Sequence, residues 1–506
     1  MRVADAYARV LIPFTEDVTT MSQPTLPPPR RALRRGLAAA ALAAAAACYA
    51  LPSASGAVAP SVGDPRAVTQ PSVPSTCQTL SSTLANPSSR TFSSTQEVTP
   101  PDTSRIQAAL TACAGTGKAV VLAASGSNTA FLSGPLTMGS GVYLVVSGGV
   151  TLYASRDAAN YQVSGSSSTC GTIDSSGSGC KAFITVGGSN NGIEATANSA
   201  GTRGIIDGRG DLDIYGTSTT WWALATAAAS SGKQNNPRLI QTSSVSNFTV
   251  YNLDLVNAAK QHIYFKNGSG LVVWGLRIKT PANARNTDGI DIDGSSNATV
   301  NLSYLQDGDD GVAIEANSAA STGTTVENSH FYGTHGISIG SPTTYGVSSV
   351  LVYNNTLQGT DSSGIASTSN NGIRVKSYSS VGGTVSNVVY QTTCMKGVKY
   401  LIDIDPYYSS TTGTNYPNFK SITINGATAV SSASSAKSVL DGYSSALPLG
   451  LTLENVNFDA TSVSSQYANI GRYNANLSPS GTGVTVSTIS GSGSAPSCTF
   501  PSFPAL

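Results

Sequence analysis

The sequence predicts an all-β fold: a single-stranded, right-handed parallel β-helix closed at its N-terminal end by one short helix. The first observation behind this is a repeat. Val250-Tyr251-Asn252-Leu253-Asp254-Leu255 has the form apolar-x-polar-x-x-apolar, and it returns at Val273–Ile278, Val300–Leu305, Val326–Phe331, Val352–Leu357 and Val385–Tyr390, more loosely at Leu453–Phe458. The steps are 23, 27, 26, 26 and 33 residues with no helical pattern between them, which marks a solenoid. The second observation is another short run in each repeat: Ile263-Tyr264-Phe265, Ile290-Asp291-Ile292, Val312-Ala313-Ile314, Ile337-Ser338-Ile339, Ile373-Arg374-Val375 and Leu401–Ile404. Their alternation is that of half-buried strands. The third is composition. With 51 Gly, 24 Pro and only 11% charged residues in 506, the chain is built of short strands and turns, and 40% apolar content supports a core. A β-propeller is the rival, but its blades need longer hairpin-linked strands at a period nearer ~40 residues.

Taken in order, residues 1–57 read as an export signal. Arg30, Arg31, Arg34 and Arg35 form its basic region, Leu37 to Leu51 its apolar segment, and Ser55-Gly56-Ala57 a cleavage site; Met21 is the better start. Removing this segment takes six Arg and three acids, leaving 22 basic side chains (28 less six) against 24 acidic (27 less three). Bulk charge therefore offers no basic patch for nucleic acid. No apolar run beyond residue 60 approaches the ~20 residues of a membrane span. Residues 58–76, rich in Pro, Ser and Val, read as a linker, and residues 77–506 as the β-helix domain. Six cysteines remain after the signal, an even number that implies disulfides in an exported chain. The pairing taken is Cys77–Cys113, Cys170–Cys180 and Cys394–Cys498; only the second, closing a short Gly/Ser loop, rests on local spacing. No CxxC or His/Cys cluster points to a metal, and no cofactor is expected.

Asp102 to Cys113 is the one clear helix, with Asp102 and Thr103 able to cap it and Ile106, Leu110 and Cys113 on one face. Its expected task is to cover the open end of the sheets. Strands begin at Val142–Val146 and Val150–Tyr153. Turn asparagines Asn252, Asn301, Asn328, Asn354 and Asn387 are placed to ladder between coils.

Chemistry concentrates between Asn286 and Lys376. Asn286-Thr287-Asp288-Gly289, Gly308-Asp309-Asp310-Gly311, Thr334-His335-Gly336 and Asn371-Gly372-Ile373-Arg374-Val375-Lys376 each open one of the second-set strands. Asp288, Asp310 and His335 are spaced by about one coil, and adjacent coils lie ~4.8 Å apart, so their side chains should stand within ~10 Å. Asp-Gly and Asn-Gly are ordinary turn dipeptides. Three acids and one of only three histidines at matching positions are less easily dismissed, because like carboxylates repel. Glycoside hydrolysis needs this set: one carboxyl to protonate the leaving oxygen, another to activate water, and neighbours that push their pKa values apart. Arg374 and Lys376 suit an anionic sugar's carboxylate, the alternative being a solvated strand face. His262 and His330 read as structural.

Asn286–Gly289, Gly308–Asp310, His335-Gly336 and Arg374-x-Lys376 resemble the four signature motifs of glycoside hydrolase family 28, the polygalacturonases. Ile206–Gly210, Trp221-Trp222, Pro237–Ile240 and Asn247–Tyr251 resemble it too, over roughly residues 95–460. The resemblance implies a pectin-lyase-like β-helix and single-displacement hydrolysis with inversion. It makes Asp309 the general acid, Asp288 and Asp310 the holders and activators of water, and His335 the group that tunes the acid. Asn286, Gly336, Arg374, Lys376 and Tyr407 would bind substrate. The implied activity is endo-cleavage of polygalacturonate by a secreted monomer, with exo-cleavage, pectate lysis or a non-catalytic binding role as alternatives. Departures from the family pattern are Thr334, expected to narrow the groove, Val375 for isoleucine, and Glu315, an acid where bacterial relatives commonly have lysine.

Overall fold

A computed structural model of the chain describes residues 62–506. The proposed signal lies outside the described residues. Almost every strand is paired in parallel with its counterpart in the next coil, in three ladders, of which the first two merge at the long strand Val347–Gln358 and continue as one. The first passes from Ser246–Tyr251 through Ser269–Trp274, Ser296–Asn301 and Ser321–Glu327 to Val347–Gln358. The second passes through Asp254–Val256, Arg277–Lys279, Tyr304–Gln306 and His330–Tyr332. The third holds eleven strands and includes every run of the second sequence set. Short parallel strands joined coil to coil take the right-handed sense that twisted strands favour.

Alternation along each strand separates core from surface. In the third ladder Ile240, Ile263, Ile290, Val312, Ile337, Ile373 and Ile402 stack in register, each at most 1% exposed. Each such side chain contributes roughly 1.5–3 kcal/mol by leaving water. Their neighbours Gln241, Tyr264, Asp291, Ala313, Ser338, Arg374 and Asp403 form the parallel outward column, as a two-residue period requires. That column is the floor of a groove.

The repeat holds through Val250, Val273, Val300, Val326 and Val352, but the next partner of Val352 is Tyr390. Val385 pairs with Val347 instead. The phrase Val385–Tyr390 therefore repeats Val347–Val352, and the step from Val352 is 38 residues, not 33. The two frames are equally apolar, so only strand pairing tells them apart. Of the asparagines expected to ladder, Asn354 donates to Asn328 (2.8 Å) and Asn328 to Asn301 (3.0 Å). Asn252 donates instead to the Ala195 carbonyl.

The capping helix spans Thr103–Cys113 and buries Ile106, Ala109, Leu110 and Cys113 against the core. The Asp102 carboxylate does not cap it but accepts from the Leu132 N–H and Arg105, tying the helix to the sheet beside it. Among the described residues two further α-helices are present, Ser94–Val98, closed by a capping box from Ser93 and Gln96, and Trp221–Ser231. The second carries its own signals in Thr220, whose hydroxyl accepts from the Ala223 N–H, the alanine run, and Gly232. The three disulfides are Cys77–Cys113, Cys170–Cys180 and Cys394–Cys498, as expected. The segment expected as a linker lies against the first ladder: Gly63 and Asp64 donate to Ser349 and Thr325, and Arg66 donates to the carbonyls of Leu271 and Asn297.

Candidate active site

The four motifs meet on the outer face of the third ladder. Strand pairing of Ile290 with Val312 and of Val312 with Ile337 brings Asp288, Asp310 and His335 into line at the point where the chain enters each strand. The glycines that follow let the coils stack this closely. A side chain at Gly289 would collide with the Gly311 carbonyl, and one at Gly336, where φ is +100°, would lie 2.6 Å from the Gly372 carbonyl oxygen.

Asp309 and Asp310 point to different partners. The Asp309 Oδ1 stands 3.0 Å from His335 Nδ1, and its Oδ2 accepts from the Asn286 amide at 3.1 Å. The far ring nitrogen of His335 meets Thr368 Oγ1 at 2.9 Å, which orients the imidazole. Asp310 is held by Ser338 Oγ (2.6 Å), Lys376 Nζ (2.7 Å) and Arg374 Nη1 (3.4 Å). Arg374 also lies 3.5 Å from Asp403. The two cations are thus set against the acids and not free in solvent.

Burial raises the Asp288 carboxyl well above the usual range, and Asp291, Asp309 and Asp310 add to the effect through their negative charge. Burial also pushes Asp309 upward, yet His335 and Lys376 outweigh it, so this carboxyl ends below the usual range. Asp310 keeps the Lys376 ammonium above its ordinary value despite the burial that opposes it. The environment thus pushes the two carboxyls apart, Asp288 toward its protonated form and Asp309 toward its carboxylate. Asp291 is buried with one oxygen lacking a partner, and burial pushes Glu315 up to about 7, so the acid found in place of lysine need not carry a full charge.

Asp309, Asp310 and His335 offer ligand atoms within 4.8 Å of one another. A cation there would have to displace Lys376 from Asp310 and the imidazole from Asp309.

Several placements differ from expectation. Thr334 is buried, and its hydroxyl accepts from the Gly336 N–H, so it closes the turn without narrowing the groove. Tyr407 donates to the Tyr443 carbonyl and stacks on that ring at 5.5 Å. Tyr408 is the ring beside the cations, 5.3 Å from the Arg374 guanidinium and 5.0 Å from Lys376 Nζ. Adjacent tyrosines give no local signal for choosing between them. His262 is buried between Thr280 and the Thr287 and Asp288 carbonyls, and burial pulls it down to about 4. It braces the Asp288 turn from inside the coil. His330 bonds Thr356, also pulled down to about 4 by burial. The sequence did not single out Ser338, Thr368 or Gln234, which orient Asp310, His335 and Asn286 in turn.

Comparison with known proteins agrees with this geometry. Residues 162–478 match the model for glycosyl hydrolases family 28. The chain is 39% identical to an endo-polygalacturonase of Pectobacterium parmentieri, over 79% of its own length and 90% of the relative's. It is 37% identical to a polygalacturonase of Ralstonia solanacearum, over 78% and 80%. Among solved structures, a polygalacturonase from Erwinia carotovora ssp. carotovora superposes with a TM-score of 0.69 at 36% identity, covering 82% of this chain and all of that one. With sequence, coil register and the stacked acids in agreement, the chain belongs to glycosyl hydrolases family 28.

Proposed function

We propose that this chain is an endo-polygalacturonase that hydrolyses α-1,4-galacturonosyl bonds of de-esterified pectin with inversion. The observation that supports it best is the joint placement of Asp288, Asp309 and Asp310 on one groove with Arg374 and Lys376 beside them, in a chain about 40% identical to relatives named endo-polygalacturonase. Acids supply the proton and the activated water, and cations recognise a polymer whose every unit carries a carboxylate.

Asp309 is the general acid in this reading. His335 and Lys376 hold Asp309 toward its carboxylate form in the free protein, so Asp309 must take up a proton before the bond breaks, and it then passes that proton to the leaving glycosidic oxygen in the transition state. Asp288 and Asp310 hold and activate the water. Asp288 has to release its proton to solvent before it can take one from the attacking water. Asn286 and Gly336 shape the floor, and Tyr407 or Tyr408 flanks the sugar beyond Arg374. The protein is exported by its N-terminal segment and acts outside the cell as a monomer on its polysaccharide. Among the described residues no helix is long and apolar enough to cross a membrane.

Reducing ends should appear from polygalacturonate at an undiminished rate with a chelator present, and no unsaturated-uronide absorbance should develop. Viscosity should collapse while few bonds are cut, with a ladder of oligomers forming early. Accumulation of monomer or dimer alone, with viscosity preserved, would mean exo-attack. Absorbance with loss of rate in chelator would mean a lyase.

The pH profile tests the pair. Activity should fall on the alkaline side as Asp309 loses the proton it must donate, and His335 helps set where that happens because it lowers this carboxyl. In His335→Ala the remaining carboxyl titrates alone, without the imidazole that lowers it, and the alkaline limb should move. A mutant limb that overlays the wild-type one removes His335 from the proton's path.

A further inference from the structure

A cavity of about 250 Å³ lies on the side of the acids away from Arg374 and Lys376, and it is lined mainly by Lys233, Gln234, Lys260, Gln261, Arg285 and Asn286. Resting on the polygalacturonase reading, the geometry points to this cavity as a second carboxylate-binding subsite, in which Lys260, with Lys233 and Arg285, grips a uronosyl unit on the far side of the scissile bond. Its place along the groove follows from strand pairing. Ile263 pairs with Ile290 and Ile290 with Val312, so Lys260 lies two coils before Asp309. Val312 pairs with Ile337 and Ile337 with Ile373, so Arg374 and Lys376 lie two coils after it. The two cationic groups bracket the acids across about four strand spacings, roughly 19 Å.

The cavity is joined to the reacting groups. Gln234 donates to Asn286 at 2.9 Å, and Asn286 donates to Asp309 at 3.1 Å. Its outer wall, Ser176 and Gly177, belongs to the loop closed by Cys170–Cys180, which is pinned by pairing of Ile173-Asp174 with Lys233-Gln234. Among the described residues Lys260 makes no direct ion pair, and its partly buried ammonium is pulled down to about 8, first by burial and then by Arg238, with Asp288 and Asp291 acting in the opposite sense. A partly desolvated cation with no carboxylate paired directly to it is stabilised by an arriving anion, and a carboxylate is the anion this polymer repeats. Arg285 is oriented by donating to the Ala225 carbonyl of the helix Trp221–Ser231, and Gly232, which ends that helix, lines the cavity.

The test uses the full-length protein with oligogalacturonates of graded length. Lys260→Met and Lys233→Met should each lower kcat/KM on long oligomers, Lys260→Met by ~10- to 100-fold, the range of a lost charge-assisted hydrogen bond. The same variants should change little on the shortest oligomer cleaved, which does not reach the cavity. Lys260→Arg should recover most of the loss, and the wild type's preference for free acid over methyl ester should shrink in Lys260→Met. Equal loss on all lengths, or no loss on any in a normally folded variant, overturns the subsite. If the wild type itself releases nothing from polygalacturonate, the functional reading fails first, and the two failures are distinct.

Discussion

Asp309→Asn should fold as the wild type does and lose ~10²–10⁴-fold in kcat, the usual cost of a missing general acid. Asparagine keeps the shape and can still meet Asn286 and His335, so circular dichroism and the melting temperature should hardly move. A second substrate separates this residue from its neighbours. With a leaving group that needs no protonation, such as a dinitrophenyl galacturonide, Asp309→Asn should recover much of its rate, whereas Asp288→Asn and Asp310→Asn should stay slow, because water still needs activating. The raised carboxyl of Asp288 makes this comparison decisive. If Asp288→Asn is the variant rescued by the activated substrate, the acid is Asp288 and the roles exchange. Asp309→Asn activity within about threefold of wild type would remove Asp309 from the chemistry altogether.

The largest effect on stability is expected at Arg209→Met, far from the chemistry. Arg209 and Glu97 are both fully buried and joined by two bonds of 2.7 and 2.9 Å, with Arg209 Nε donating to the Ala154 carbonyl. Arg156 also reaches Glu97 at 3.2 Å, and Arg90 bridges Asp207 and Asp211 close by. Removing one partner of a buried pair leaves the other desolvated and unpaired, a loss of about 3–5 kcal/mol. The double variant Glu97→Leu/Arg209→Met should cost less than the sum of its single changes, since it removes both charges. Denaturant titration with the disulfides intact measures this. A loss for Arg209→Met below about 1 kcal/mol would show that Arg156 alone suffices for Glu97.

The site was legible in the sequence because its residues sit next to glycines at a fixed place in each coil. Asp288-Gly289, Asp310-Gly311 and His335-Gly336 recur at one coil's spacing, and pairing of Ile290, Val312 and Ile337 places them side by side. Spacing could not choose between frames that satisfy it equally. Val385–Tyr390 fits the repeat pattern against either Val352–Leu357 or Val347–Val352, and the backbone pairs it with the latter. The helix Trp221–Ser231 carries local signals of its own, a cap at Thr220, an alanine run and Gly232 at its end.

What the sequence by itself determined is whatever repeats locally: the strand period, the coil, the column of isoleucines, and the motif residues that share one face. These follow from the two-residue alternation of a strand and from self-similarity, which need no knowledge of distant contacts. Tertiary structure alone decided how those residues are charged and aimed. Asp288 is raised first by burial and then by the acids around it, whereas an imidazole 3.0 Å away helps lower Asp309 against the same burial. Tyr408 is the ring beside Arg374 and Lys376 for the same kind of reason. Electrostatic interactions depend on separation and burial, and in a solenoid both are set by residues a coil or more away in sequence.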